Sequence, residues 1–557
     1  MSARQSCARS LVRAVLGHAL FISIACSTEV ATEALTDHEA LHRRIEHPFF
    51  STVSIDDMDS VTLPSSDGDL WVSCWSDDDA VYTANGDGNG FHTEHGDVVV
   101  SRVEGRPNDP DNPLRGTTLV RSEMVGPNWV GKGLFYNRKP TGMLCVNGEI
   151  YLALQDLTTY TFSDAPHATI VRSVDKGRSF SWDDTMPMFT GHVFTTIMFL
   201  DFGKDSEHAP DSYAYAYGLD YNWSSVYSDR PPQTKLYLAR FPNTRAQDRS
   251  AWEFFTGISE DGTPRWDANI NSRAAVLEDK TLRYARPLDP LLARQNMTAM
   301  NQGGVIYNAA LDRYIFSTWT MYTYELYEAP APWGPWKHFY SKDFGVFPWS
   351  DEVAGGYGTS IPTKFISDDG ETMWMHSNMW EGGVIHYQYS LRKVQVSPYR
   401  ASEADNEPST TSLASADRGA VPFVRVARGG HSEFLNDAVL TAQSELSWNG
   451  ERKTEDYWGY TWPRSINVNR VRYTTGERGL RGGWFKDLSV QVRRGDEWVA
   501  ATGLQISPAY SFDASVLGHQ TYTLSFDATA TDGVRIFGAP GGLDAFTNIA
   551  ELSVHFE

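Results

Sequence analysis

The chain has 557 residues, 41% of them apolar, and a formal charge of −22 from 48 basic and 70 acidic side chains. That length exceeds one ordinary core and predicts two or three domains, while 18 Trp, 26 Tyr and 27 Phe mark a globular chain. An acidic balance of this size repels nucleic acid and anionic membranes, and no basic run interrupts it, so neutral partners are favoured.

At the N-terminus, Arg4, Arg9 and Arg13 precede the apolar run from Ala14 to Cys26, too short to span a bilayer. Residues 1–26 read as an export signal. Cleavage after Ala25 leaves Cys26 first and available for lipid attachment, although Ser23 stands where lipidation signals usually carry Leu. A lipid-anchored and a freely secreted protein both fit, and either lies outside the cytoplasm. No later stretch reads as a transmembrane segment. Beyond Cys26 the chain has only Cys74 and Cys145, in apolar strand-like runs, as one disulfide or as two buried thiols.

From about residue 48 to 398 the pattern is one of short β-runs with Asp, Asn or Gly turns. Five times two apolar runs flank such a turn: "LWVSCWSDDDAVYTANGD", "GMLCVNGEIYLALQD", "TTIMFLDFGKDSEHAPDSYAYAYGLD", "GVIYNAALDRYIFSTWT" and "PTKFISDDGETMWMHSN". Further strands follow in "ATIVRSVDKGRSFSW", "TKLYLARFP" with "WEFFTG", "YTYELYEAPAPWGPWKHFY" and "GVIHYQYSLRKVQV". Small sheets that repeat in this way bury their faces against one another, which predicts an all-β chain beginning with a five-bladed β-propeller. The stretch 401–419, "ASEADNEPSTTSLASADRG", has linker composition. Residues 421–557 alternate again and predict an antiparallel β-sandwich.

In a propeller sheet the second strand returns to the ligand-binding face. Counting along it from each turn lands on Asp87, Asp156, Asp220, Thr320 and Asn378. Asp69 begins the antiparallel strand beside Asp87, so the two carboxylates share an edge. A carboxylate pair facing a cleft is what acid/base cleavage of a glycosidic bond requires, one protonated by its neighbours' charge and one ionised. Asp69 and Asp87 are therefore the catalytic candidates. Asp156 and Asp220 are placed to orient the pair, bind hydroxyls or hold a cation. Arg138 and Lys139 precede the second inner strand and reach the same funnel, and Asn378 completes the polar set. Tyr82, Trp319, Tyr357 and Trp380 are aromatic platforms for sugar or else core residues. Asp77, Asp78 and Asp79 occupy the opposite, outer turn and read as solvated acids. His92 and His95 flank Glu94 without helical spacing, a weak metal pattern, so no cofactor or metal is required, although a divalent cation has acids to bind.

"SVDKGRSFSW" is similar to the aspartate-box hairpin of sialidases, a peripheral folding turn, so Asp175 is not a catalytic candidate. Together with "TANGDGNGF", "RKPTGMLCVNGEIYL", "LYLARFP", "WEFFTG", "YEAPAPWGPW" and "SDDGETMWM", it resembles secreted bacterial five-bladed propeller proteins long grouped as a domain of unknown function. Some of them are endo-D-arabinanases. The resemblance covers about residues 53–396 and implies a polysaccharide hydrolase whose acids fall on Asp87 and Asp69. Through "WGYTWP", "GGWF" and "GVRIFGAPGG" the downstream domain looks like a discoidin or coagulation-factor type C sandwich, similar to galactose-binding modules, with Trp458 and Trp484 as ligand or core residues. The expectation is a secreted glycoside hydrolase with a carbohydrate-binding sandwich. The alternative is a non-catalytic glycan-binding or adhesion protein built from the same domains.

Overall fold

The computed structural model describes residues 49–56, 60–130, 137–158, 164–221, 223, 233–281, 298–320, 323–343, 353–354, 358–381, 384–398, 408–415, 418, 420–427, 435–441, 444–494, 497–510 and 518–557. The expected signal and Cys26 lie outside them, as does Tyr357; of Trp380 only the backbone is described. Among the described residues the chain is all-β, with only single 3-10 turns between strands, and consists of a propeller-like set of sheets followed by a sandwich.

The hairpins expected from the sequence form. Asp67–Trp75, Val81–Gly90, Gly96–Glu104 and Arg115–Arg121 make one antiparallel sheet, and Asn137–Val146, Glu149–Leu157 and His167–Ser173 a second. Thr196–Asp201, Tyr213–Leu219, Lys235–Pro242 and Glu253–Ile258 follow as a third group, and Gly304–Asn308, Arg313–Thr320, Thr323–Ala329 and Lys337–Asp343 as a fourth. The strands are apolar on both faces because each sheet is packed between neighbours. Leu152, Ile197, Leu238 and Phe316 are fully buried, each such side chain contributing about 1.5–3 kcal/mol.

The last repeat departs from the expected hairpin. Pro362 has no N–H to offer a ladder, and Thr363–Phe365 is a 3-10 turn. What remains beside Thr372–Met375 is the bridge Ser360–His376. Its sheet is instead completed from the far end of the chain, by Phe50–Ile55 pairing antiparallel with Tyr389–Pro398. A narrow central cavity is lined by Val72 and Ser73, Thr141 to Met143, Met198 and Phe199, Gly303 to Ile306, and Ser360 and Ile361. Cys74 and Cys145 form a disulfide that ties the first sheet to the second.

In the sandwich, the long strands Asp456–Thr475 and Thr521–Gly538 pair along most of their length. Trp458, Trp462, Val468, Leu524, Ile536 and Val554 form its core. The described second half of the expected linker belongs to this domain. Ser409 bridges Phe556, Leu413 is buried, and the Trp462 indole donates to the Leu413 carbonyl at 3.0 Å. Leu413 and Ala414 join the sandwich core, so a stretch of polar linker composition packs as an edge.

Candidate active site

The site is built on an irregular strand start. Asp67 lies opposite Gly90 and Asp69 opposite Gly86, and regular pairing resumes only at Val72 with Ala84. The intervening bulge holds Leu70 (φ 72°) and Trp71 (φ 36°) in left-handed backbone, and across from it Asp87 is left-handed too (φ 39°). Such conformations cost on the order of 1–3 kcal/mol each and persist only where neighbours hold them. Here Leu70 N–H donates to Asn378 Oδ1 at 2.8 Å, Asn378 Nδ2 to Gly68 O at 3.3 Å, and the Trp71 indole to Gly68 O at 2.6 Å. Asn378 is fully buried, which corrects its assignment to substrate. It clamps the backbone on both sides of Asp69.

Asp69 and Asp87 are brought together by Lys139. Its Nζ lies 3.0 and 2.8 Å from the two Asp69 oxygens and 2.7 Å from Asp87 Oδ2. With 2.8 and 2.7 Å to one nitrogen, the nearer oxygens of the two acids are at most about 5.5 Å apart. Lys139 and Asp69 are buried, whereas the Asp87 side chain is 29% exposed. Burial alone would disfavour the ammonium, but attraction to Asp69 and Asp87 outweighs it and pushes the lysine above its ordinary value. The repulsion expected to keep one acid protonated is thus met by a cation instead. The sequence "NGDG" acquires a steric meaning as well: a Cβ on Gly86 would collide with Asp69 Oδ1 and come within 2.9 Å of Lys139 Nζ.

Arg138 is likewise no surface ion pair. It is buried, forks onto both Asp97 oxygens at 2.9 Å, and donates to the Gly126 carbonyl. Opposite it in the ladder stands Asp156, whose Oδ2 accepts from Trp129 N–H at 3.0 Å. Burial pushes the Asp156 carboxyl up to about 7, against the opposing pull of that hydrogen bond and of Arg138. Asp220 accepts from Phe194 N–H at 2.8 Å and pairs with Arg273 at 2.5 Å. Lys139, Arg138 and Asp156 thus adjoin one another in the ladder, and Asp220 directly follows the return strand of the next sheet.

The other candidate positions lie in packed or paired surroundings. Trp319 is fully buried, donates to Gln302 O at 2.6 Å and packs on Trp223, so it is wall rather than platform. Tyr82 is buried and donates to Asp78 at 2.9 Å. Thr320 bonds Thr323 within its own hairpin. Asp77, Asp78 and Asp79 do sit at the outer turn, but paired with Lys176, Arg102 and Lys364 respectively. Asp175 accepts from Ser179 and Arg178 N–H and from two serine hydroxyls, closing its hairpin. Among the described residues no group of His, Cys, Asp and Glu is arranged to hold a metal ion; Glu94 pairs with Arg121. In the sandwich Trp458 is core, donating to Thr547 Oγ1 at 2.7 Å, while Trp484 is half-buried under Gly541.

No family model matches this chain, and no curated protein matches it in sequence. Its structural neighbours include a glycoside hydrolase, a putative hydrolase and carbohydrate-binding modules. One described as a glycoside hydrolase is 9% identical, spans 88% of this chain and 99% of its own, and gives a TM-score of 0.31. A putative hydrolase from Bacteroides ovatus is 11% identical over 59% of this chain and 85% of its own, with a TM-score of 0.35. The family 32 CBM of Clostridium perfringens NanJ, solved in complex with galactose, is 14% identical over 24% of this chain and 93% of its own, with a TM-score of 0.20.

Proposed function

We propose that the chain is a secreted glycoside hydrolase, with a five-bladed propeller that cleaves a neutral polysaccharide and a sandwich that holds the same glycan. The observation that carries the reading is the pair Asp69 and Asp87, no more than about 5.5 Å apart at one strand edge. Retaining glycosidases place their carboxyls about 5–5.5 Å apart and inverting ones about 6.5–9.5 Å, so the spacing favours retention. Asp87, the more exposed, attacks the anomeric carbon and forms a glycosyl ester, and a second carboxyl protonates the departing oxygen and later activates water. Asp69 is that carboxyl by proximity. Asp156 is the alternative donor: its proton is held to about pH 7 by burial, whereas Lys139 favours the ionised form of Asp69. The resemblance to endo-D-arabinanases makes a furanose polymer such as D-arabinan the first substrate to try. The test is release of reducing ends from soluble arabinan and a panel of neutral polysaccharides. Wild type releases them, and Asp87→Asn, folded by circular dichroism, does not. Binding without release by wild type would identify a non-catalytic glycan-binding protein instead.

A further inference from the structure

The edge that carries Lys139 continues into a second group of side chains. Lys139 pairs with Gln155, Gln155 Oε1 accepts from Thr196 Oγ1 at 2.7 Å, and Thr196 opens the next inner strand. Just before it, Phe194 N–H donates to Asp220, which follows the return strand Tyr213–Leu219. The next residue, Tyr221, is left-handed (φ 66°), and so are His192 (φ 64°) and Phe194 (φ 57°) facing it. Two backbone bonds fix the Tyr221 turn, Tyr221 N–H to His192 O and Ala165 N–H to Tyr221 O, both 2.7 Å.

Despite this anchoring the Tyr221 side is 45% exposed. Its ring lies 5.9 Å from the His192 ring, and His192 Nε2 is 3.2 Å from Asp164 Oδ2. Backbone strain of this kind, concentrated in three non-glycine residues, is characteristic of ligand clamps. Here the residue so held is an aromatic one that is left nearly half exposed. Beside the ring is the His192 imidazole, which donates or accepts, and behind it Asp164, whose Oδ2 also accepts from Thr158 Oγ1 at 3.2 Å. An apolar face with hydroxyl-directed partners fits an uncharged sugar ring, and the acidic chain disfavours polyanions.

We propose that Tyr221, His192 and Asp164 form a sugar-binding subsite, with one ring of a neutral glycan stacked on Tyr221 and its hydroxyls bonded by the His192–Asp164 pair. The proposal rests on the glycan reading of this face but not on its being catalytic. Soluble arabinan is the probe, with short fragments of it for comparison. In the full-length chain, Tyr221→Gly removes the ring and suits a left-handed backbone, so its thermal midpoint stays near wild type. Its KM for the polymer rises about tenfold, while kcat and the hydrolysis of the shortest cleavable fragment stay unchanged. Tyr221→Phe keeps the platform and restores KM. Retardation in gels containing arabinan gives the same comparison without turnover. If wild type is retarded but cleaves nothing and Tyr221→Gly loses retardation, the subsite stands and the hydrolase reading fails. A KM and a retardation both unchanged in Tyr221→Gly, or wild type that neither binds nor cleaves, would overturn the subsite.

Discussion

Lys139→Met tests how the carboxylate pair is held. The variant removes the cation that two acids at most about 5.5 Å apart share, one of them, Asp69, buried. At an effective dielectric of about 20 their repulsion is about 3 kcal/mol, in line with the roughly 3–5 kcal/mol typical for breaking a buried ion pair. That repulsion raises one of the two carboxyls above its ordinary range in the variant. A folded pKa raised above its unfolded value means stability present in acid and lost as pH rises through it. The variant should therefore be weakest at neutral pH, and its deficit should shrink as pH falls toward the ordinary carboxylate value of about 4. In wild type Lys139 itself, raised above 10.5, contributes no change in that window. Urea denaturation of both proteins across this range measures the difference. A deficit below about 1 kcal/mol at pH 7, or one equal at pH 4 and pH 7, would refute the ion-pair reasoning.

Asp156, raised to about 7 by burial, should lower stability as pH rises from about 4 to 7, and Asp156→Asn should remove that part of the slope. Asp201, also raised to about 7 by burial, supplies a separate slope that the Asp156 variant leaves in place. If Asp156 is the proton donor, the same variant also loses the alkaline limb of the pH–rate profile while keeping activity on a substrate with an activated aryl leaving group. The disulfide closes a loop with a sequence separation of 71 residues, so Cys74→Ala with Cys145→Ala should destabilise the propeller by about 4 kcal/mol in urea.

The fold was legible where the physics is local. Alternation and the Asn147-Gly148 and Asp312 turns announced their hairpins, because strand period and turn chemistry act over a few residues. The closing strand Phe50–Ile55 was not legible, since its partner Tyr389–Pro398 lies at the opposite end of the propeller sequence. The site divides in the same way. Strand counting put Asp69, Asp87 and Lys139 at one edge, but it could not show that the lysine would sit between the acids. Thr320 and Asn378 landed on the predicted positions yet are fully buried, because residue spacing reports height along a strand and not what packs above it. Tyr221 and His192 were missed altogether. Their signal is a left-handed backbone at non-glycine residues, which leaves no mark in composition.

The central claim is that Asp69 and Asp87 act as a close carboxylate pair. Proton NMR of the first sugar released from soluble arabinan by wild type, read before mutarotation, tests it most directly. Product of retained anomeric configuration, absent with Asp87→Asn, is the result predicted from the spacing. Inverted product, or undiminished release by Asp87→Asn, would contradict it.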